Sequence, residues 1–493
     1  MERCCTVKSS CLIAAVSIML LAAWTPLVKG DEIRTLAMGN CSIGLVDRDN
    51  RVNPYDFGGN PAYLGSTFDR TWIRLVFSID EQKGDLKRPY DPGLLNTAFV
   101  GFEGRKRLSD RQAASGIFRY ERRWQREQWH SFEFDPYNDP FYLTDLTTGD
   151  IKYWGPAMSA EYSLQLSPKM AIGAGLDYDI STGLKDFYTR PQIEHNNVRG
   201  NIGLLLQPRR EWLLGFVVRP MRLQNRTNFD GTNEGYDLTI RRFYGDGIYD
   251  IRSFSSYTMT EILQGAEIGV QNFVATDRVR VGTIFSYGYA ENTLSVISTT
   301  SPEDLGNWRD ETIDFRFLAR YAPENAPLTF GISGRSMNRD GWAERSRFEN
   351  VILYDNPMQL RSVGAGASYT IRPAGLTVAA DYVLNSFDIE ANDYGANTFR
   401  SQEFIQNIGR LGVEYAAYNV FSFRGGVEVT DYVADRWLKL PVNTDRYRFT
   451  AGGSYAWHLW QVDALILYGR DTQSQTDARR RDIGGMIWFT RLE

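Results

Sequence analysis

The chain has 493 residues, 43% hydrophobic and 23% charged, with 55 basic against 60 acidic side chains for a net charge of -5 at pH 7. Both signs are spread along the whole length, so no basic stripe exists to follow a nucleic-acid backbone, and that class of partner is excluded. The 27 Tyr, 27 Phe, 12 Trp and 44 Gly are more informative. Transmembrane barrels place aromatic side chains at both interfaces and use glycine where strands bend or crowd.

Residues 1–30 read as an export signal. Arg3 and Lys8 make a basic start, Leu12 to Trp24 is apolar, and Val28-Lys29-Gly30 supplies small residues at the two positions inspected for cleavage. The apolar run of about 13 residues is short of the roughly 20 that a helical span needs, so cleavage before Asp31 is expected. Cys4, Cys5 and Cys11 leave with the signal, and Cys41 stays behind alone. The mature chain therefore has no intramolecular disulfide, and no thiolate metal cluster is expected.

Residues 31–66 precede the first regular alternation and read as a periplasmic or plug segment. Gly58-Gly59 followed by Asn60-Pro61 marks a sharp turn of the chain, because Pro61 fixes its own φ and pushes Asn60 away from helical geometry. From residue 67 onward the pattern is that of strands. Three less regular candidates lie at about 71–80, 96–105 and 112–120.

Seven regular hairpins follow, at about 157–180, 198–221, 263–289, 312–336, 362–386, 406–430 and 447–468, and a last strand lies at about 480–490. In the seventh, Tyr447, Phe449, Ala451, Gly453, Tyr455 and Trp457 make a lipid-like face opposite Arg446, Arg448, Thr450, Gly452 and Ser454. A period of two with one apolar face is what a barrel wall requires. The prediction is an all-β, closed antiparallel transmembrane barrel of about 14–18 strands over residues 67–493, because lipid cannot satisfy an open sheet edge.

Turns of two to five residues alternate with long polar segments at 121–154, 223–261, 290–310, 338–361, 387–405 and 431–445. Outer-membrane barrels keep short turns in the periplasm and long loops outside, which predicts periplasmic termini and an even strand number in a Gram-negative-type envelope.

The amino-terminal motifs carry a resemblance. Arg34 to Asn40 with Gly39, then Gly44-Leu45-Val46-Asp47, then Asn60-Pro61-Ala62-Tyr63-Leu64 resemble the start of long-chain fatty-acid transporter (FadL-like) proteins and their secretion-associated PorV-like relatives. The resemblance implies an outer-membrane barrel with Gly39, Asp47, Gly58, Gly59, Asn60, Pro61, Ala62 and Leu64 as plug or hinge. In FadL-like transporters that region shifts when a hydrophobic ligand binds. A passive conduit for small hydrophobic molecules is the function this implies. The alternatives are a PorV-like partner of secretion-system proteins in secretion or surface attachment, and a general porin. For the box itself, a structural turn stands beside the hatch reading.

Arg410, Glu414, Arg424 and Glu428 fall on the inward face of adjacent strands, as do Arg280, Arg446 and Arg448. They read as bracing of a polar interior or as a constriction. In 121–154, Trp124, Trp129, Phe141 and Tyr142 are aromatic anchors for external contact, or for a loop folded over its own barrel. Enzymatic readings find no support: His130, His195 and His458 are far apart, Ser454 alternates as a strand residue, and neither a nucleophile box nor a metal-ligand spacing is present. No cofactor is expected, and the partners implied are outer-membrane lipid and a small hydrophobic molecule.

Overall fold

The computed structural model describes residues 58–66, 71–88, 90–131, 141, 143–186, 190–230, 238–243, 249–254, 256–297, 302–323, 326–344, 352–417, 420–431, 444–473 and 476–492. Residues 1–30, read above as an export signal, lie outside the described residues, as do Gly39, Cys41, Asp47 and Tyr142.

A single sheet holds every strand. It begins with β1 (Trp72–Gly84), β2 (Leu94–Ser109), β3 (Gln112–Ser131), β4 (Leu143–Ser167), β5 (Met170–Lys185), β6 (Gln192–Arg209) and β7 (Trp212–Asp230). A short hairpin of β8 (Leu238–Phe243) and β9 (Tyr249–Phe254) precedes β10 (Ser256–Ala275), β11 (Val279–Ile297), β12 (Pro302–Tyr321) and β13 (Leu328–Glu344). The rest are β14 (Ile352–Asp355), β15 (Met358–Ile371), β16 (Leu376–Asp393), β17 (Thr398–Ala417), β18 (Phe421–Thr430), β19 (Thr444–Trp457), β20 (Trp460–Gln473) and β21 (Arg479–Leu492).

All pairings are antiparallel between neighbours, and β1 pairs with β21 from Trp72 opposite Leu492 to Gly84 opposite Arg480. Three elements stand outside the ring. β7 pairs directly with β10, which excludes β8 and β9, and β13 pairs directly with β15, which excludes β14. The wall is a closed barrel of eighteen strands, the upper end of the expected range. Among the described residues no helix is long and apolar enough to cross a membrane, and the crossing is made by strands.

The outward face is apolar, as lipid demands. Tyr447, Phe449, Tyr455 and Trp457 are exposed on β19, while Arg446, Arg448 and Thr450 between them are buried. Phe102, Ile202, Phe285, Ile332, Val363, Ile405 and Ile466 continue the exposed apolar belt on other strands. In water such a belt would be a large unpartnered patch; in a bilayer it is the favourable surface.

The long polar segments are mostly strand, which corrects the expectation of loops there. Residues 121–131 complete β3 and 143–154 begin β4, and the 387–405 segment is β16 and β17 joined across Tyr394 to Asn397. Alternation persists along them, with Arg123 and Gln125 buried and Arg126 exposed, but the outward positions turn polar once the strand leaves lipid. β4, at 25 residues, extends about 80 Å at roughly 3.3 Å per residue, far beyond an apolar band of about 25 Å even when tilted.

Candidate functional site

The barrel has a short-turn end and a long-loop end, and each is filled differently. At the short-turn end, Pro61–Ser66 forms a 3-10 turn with Pro61, Ala62, Tyr63 and Leu64 all buried. Gly59 ahead of it has φ +57, a left-handed conformation that glycine adopts without a Cβ clash. The turn packs against the inward faces of β3, β4, β5 and β6.

Asn60 holds it. Its amide Nδ2 donates to the Phe216 carbonyl at 3.1 Å and to Gln271 Oε1 at 3.1 Å, and its Oδ1 accepts from the Ala62 N–H at 3.0 Å. The Gln271 amide donates to the Gly58 carbonyl at 2.6 Å, and Arg219 donates to the same carbonyl at 2.5 Å while pairing with Glu267 at 2.6 Å. Asn201 donates to the Gly59 carbonyl at 2.8 Å, and the Ser163 hydroxyl to the Ala62 carbonyl at 3.2 Å. So close an approach needs a bare wall. A Cβ on Gly203 would lie 1.9 Å from Asn60 Oδ1, and one on Gly173 would lie 2.4 Å from Ala62 N.

The inward face of β16 to β21 carries rows of charge. Asp381, Arg410, Glu428 and Arg448 stand directly opposite one another across β16, β17, β18 and β19, and Gly469 and then Asp482 continue the row. Arg410 lies 3.6 Å from Glu428, and Arg424 lies 3.6 Å from Glu414. Gly469 leaves the space through which Arg448 reaches Asp482 at 3.3 Å. A second row joins Arg446 to Asp471 at 2.7 Å and Arg480 to the same carboxylate at 2.8 Å. Most of these side chains are nearly inaccessible, with Arg448 only 1% exposed. Alternating sign lets each charge lean on two neighbours, which offsets the desolvation a lone buried ion would suffer. Arg280 stands apart from these rows, half-buried and opposite Arg320.

At the long-loop end the core is apolar. Phe141, Leu143, Ile151 and Tyr153 pack with Ile193, Phe229, Ile240, Tyr257, Met259, Leu294, Leu305 and Trp308. β8 is brought into this cluster by pairing with the first residues of β4, Leu143 opposite Arg242 and Asp145 opposite Ile240. Beside it, Lys185 donates to Asp145 at 2.6 Å with both side chains wholly buried. His195 meets Asn225 at 2.5 Å, and Asn225 and Asn292 both donate to Glu261, at 2.5 and 2.7 Å.

The aromatic residues singled out from the sequence therefore divide. Phe141 is buried in the apolar cluster, where the start of β4 pairs with β8. Trp124 stands half-buried within β3, and Trp129 belongs to the same strand with its side chain outside the described residues. Sequence reasoning missed the receiving side of the Asn60 turn: Gly173, Gly203, Asn201, Arg219 and Gln271. The only signal for them was small residues on inward positions of β5 and β6. It also missed Asp471 and Asp482, which complete the charge rows. Among the described residues no group of three or more His, Cys, Asp or Glu side chains could hold a metal ion.

No curated protein matches the sequence. Solved structures to which the chain is similar include the CymD monoaromatic hydrocarbon channel, at 14% identity over 93% of this chain and 96% of that one, with a TM-score of 0.35. The toluene transporter TodX of Pseudomonas putida is similar at 12% identity over 89% and 93%, with a TM-score of 0.31. The outer-membrane transporter YddB of Escherichia coli is similar at 9% identity over 86% and 81%, with a TM-score of 0.44. Residues 61–459, from the turn that Asn60 holds to the β19–β20 turn, match a family described as of unknown function (DUF6850), and the chain belongs to that family.

Proposed function

We propose that this barrel is a passive outer-membrane conduit for small hydrophobic molecules, with residues 31–66 as its plug and the short-turn end and both termini in the periplasm. The observation that carries the reading is the apolar cluster at the long-loop end, where Phe141, Tyr257, Met259 and Trp308 are buried together. A porin for polar solutes keeps its mouth wet, whereas an apolar molecule gains by leaving water for such a cluster. The amino-terminal turn supports a plug by its burial and by its many bonds to the wall. Of the aromatic residues that a PorV-like docking role would use, Phe141 is turned inward, which weakens that alternative.

The test is deletion of Asp31 to Ser66, with single-channel conductance in planar bilayers and uptake of a hydrophobic probe by intact cells. A plugged conduit shows low conductance when intact, a larger one after deletion, and probe uptake that depends on the protein. High conductance in the intact barrel makes it a general porin. Absence of protein-dependent uptake, with a secretion component recovered by cross-linking, favours the secretion partner.

A further inference from the structure

The buried turn does not fill its end of the barrel. A pocket with about 60 Å³ of free space lies beside it, with Ala62, Gly65 and Ser66 of the turn on one side and the ends of β2 to β6 on the other. One water needs roughly 10–15 Å³ of such space, so a single tetrahedral oxyanion fits where several waters would. The pocket is on the lumen side of the wall. Ala62 packs there with Ala113, Ala171 and Leu205, whereas Leu108 and Leu166 are exposed on the lipid face of the same strands. Its ligand therefore comes from water and not from the bilayer.

The lining is basic. Arg107, Arg111 and Lys169 belong to it and occupy inward positions: Arg107 stands opposite Ala113, the Arg111 carbonyl accepts from the Gln165 N–H at 2.8 Å, and the Lys169 carbonyl accepts from the Gln207 N–H at 2.8 Å. Among the described residues none of these three cations forms an ion pair, and the Arg107 guanidinium meets only the Asp110 carbonyl, at 3.5 Å. The arginines in the rows of β16 to β21 each face a carboxylate instead. Asp110 is the one acid among the described lining residues, which leaves two positive charges uncompensated. A phosphate group carries about −1.5 to −2 charges at pH 7 and matches them. Guanidinium forks suit its oxygens, and Gln165 adds an amide donor.

We propose that this pocket binds a soluble oxyanion of the phosphate type and that the bound anion holds the turn in its seat. The inference rests on the plug reading and adds to it a ligand that keeps the plug closed. The coupling follows from how the pocket is built. Ala62, Gly65 and Ser66 form one of its sides, so the pocket exists only while the turn is seated. An anion that binds the seated form alone shifts the equilibrium toward that form.

Maleimide labelling of Leu64→Cys in a Cys41→Ser background reads unseating of the turn, because Leu64 is 0% exposed and lies outside the pocket lining. The full barrel in lipid nanodiscs is labelled in inorganic phosphate and in potassium chloride of equal ionic strength. At about ten times its dissociation constant, phosphate is expected to slow labelling about tenfold, the factor that binding to the seated form alone gives. Arg111→Gln with Lys169→Gln removes that slowing while labelling in chloride stays as it was. Asp110→Asn, which deletes the opposing charge, lowers the half-saturating phosphate concentration about two- to fivefold. Asp110, Arg111 and Lys169 are all exposed, and heat-modifiable migration on SDS gels checks that the variants fold. Equal labelling rates in phosphate and chloride, a slowing that survives loss of both cations, or no gain from Asp110→Asn overturns the anion's role. The plug reading is judged separately by the conductance of the barrel lacking Asp31 to Ser66: a rise leaves the plug standing whatever phosphate does, and no rise overturns the plug together with its anion.

Discussion

At the scale of single residues, Asn60 and Gly203 make a matched pair. The side chain of one occupies the space that a side chain on the other would need, with 1.9 Å between Asn60 Oδ1 and a Cβ at residue 203. Gly203→Ala is therefore expected to dislodge the turn while leaving the wall intact, since alanine is otherwise acceptable in a strand. With Ala62→Cys placed in a Cys41→Ser background, maleimide labelling should be slow in the parent, where residue 62 is buried, and at least about tenfold faster with Gly203→Ala, a shift in opening equilibrium of roughly 1.4 kcal/mol. Unchanged labelling would mean that the turn tolerates the methyl. The Asn60-Pro61-Ala62 side of this contact was legible in the sequence, because proline after asparagine has few conformations. Its partner was not, since an inward glycine in a strand looks the same whether it faces a plug, a ligand or nothing.

At the scale of elements, the inward face of β16 to β21 behaves as a set of interlocked ion pairs. Arg448 and Asp482 are each 1% exposed. Arg448→Met alone leaves the carboxylate without its cation and is expected to cost about 3–5 kcal/mol, while Arg448→Met with Asp482→Leu should return most of that loss. Urea denaturation of the refolded barrel in lipid vesicles reads both. A single variant no worse than the double would show that the row does not act as a unit. The sequence made the inward charges of β17, β18 and β19 visible because their alternation is strict. It concealed which charge faces which, because register depends on strand stagger around the ring, and the partners of the β19 arginines lie on the next strand for Asp471 and on the one after it for Asp482. The long polar segments were misjudged for a related reason: once a strand rises above lipid its outward positions become polar, and the apolar alternation that identifies it disappears while the hydrogen-bonded ladder continues.

At the scale of the whole molecule, closure depends on the joint between β1 and β21. Ser78 lies directly opposite Met486 across it. Ser78→Cys with Met486→Cys should form a disulfide in the folded barrel, since facing strand positions bring Cα atoms to about 4.5–5.5 Å. Denatured samples on non-reducing gels, in the Cys41→Ser background, would then run as a compact cross-linked species. A mobility identical to the reduced sample would argue against the joint. Strand number was nearly legible from the sequence, since seven hairpins, three early strands and a last one were all visible. The excluded β8, β9 and β14 were not, because exclusion is a statement about which neighbours pair, and no local pattern reports it.

That joint also sets a constraint in time. Arg481 bonds to Glu81 across it, 400 residues away along the chain, so the ring has no shut form until its last strand has arrived. Every earlier stage of synthesis presents two raw sheet edges and a growing apolar face. Non-local pairing of this kind is slow and invites aggregation. Truncation of even the final hairpin should therefore yield a substrate for proteolysis in place of a smaller barrel.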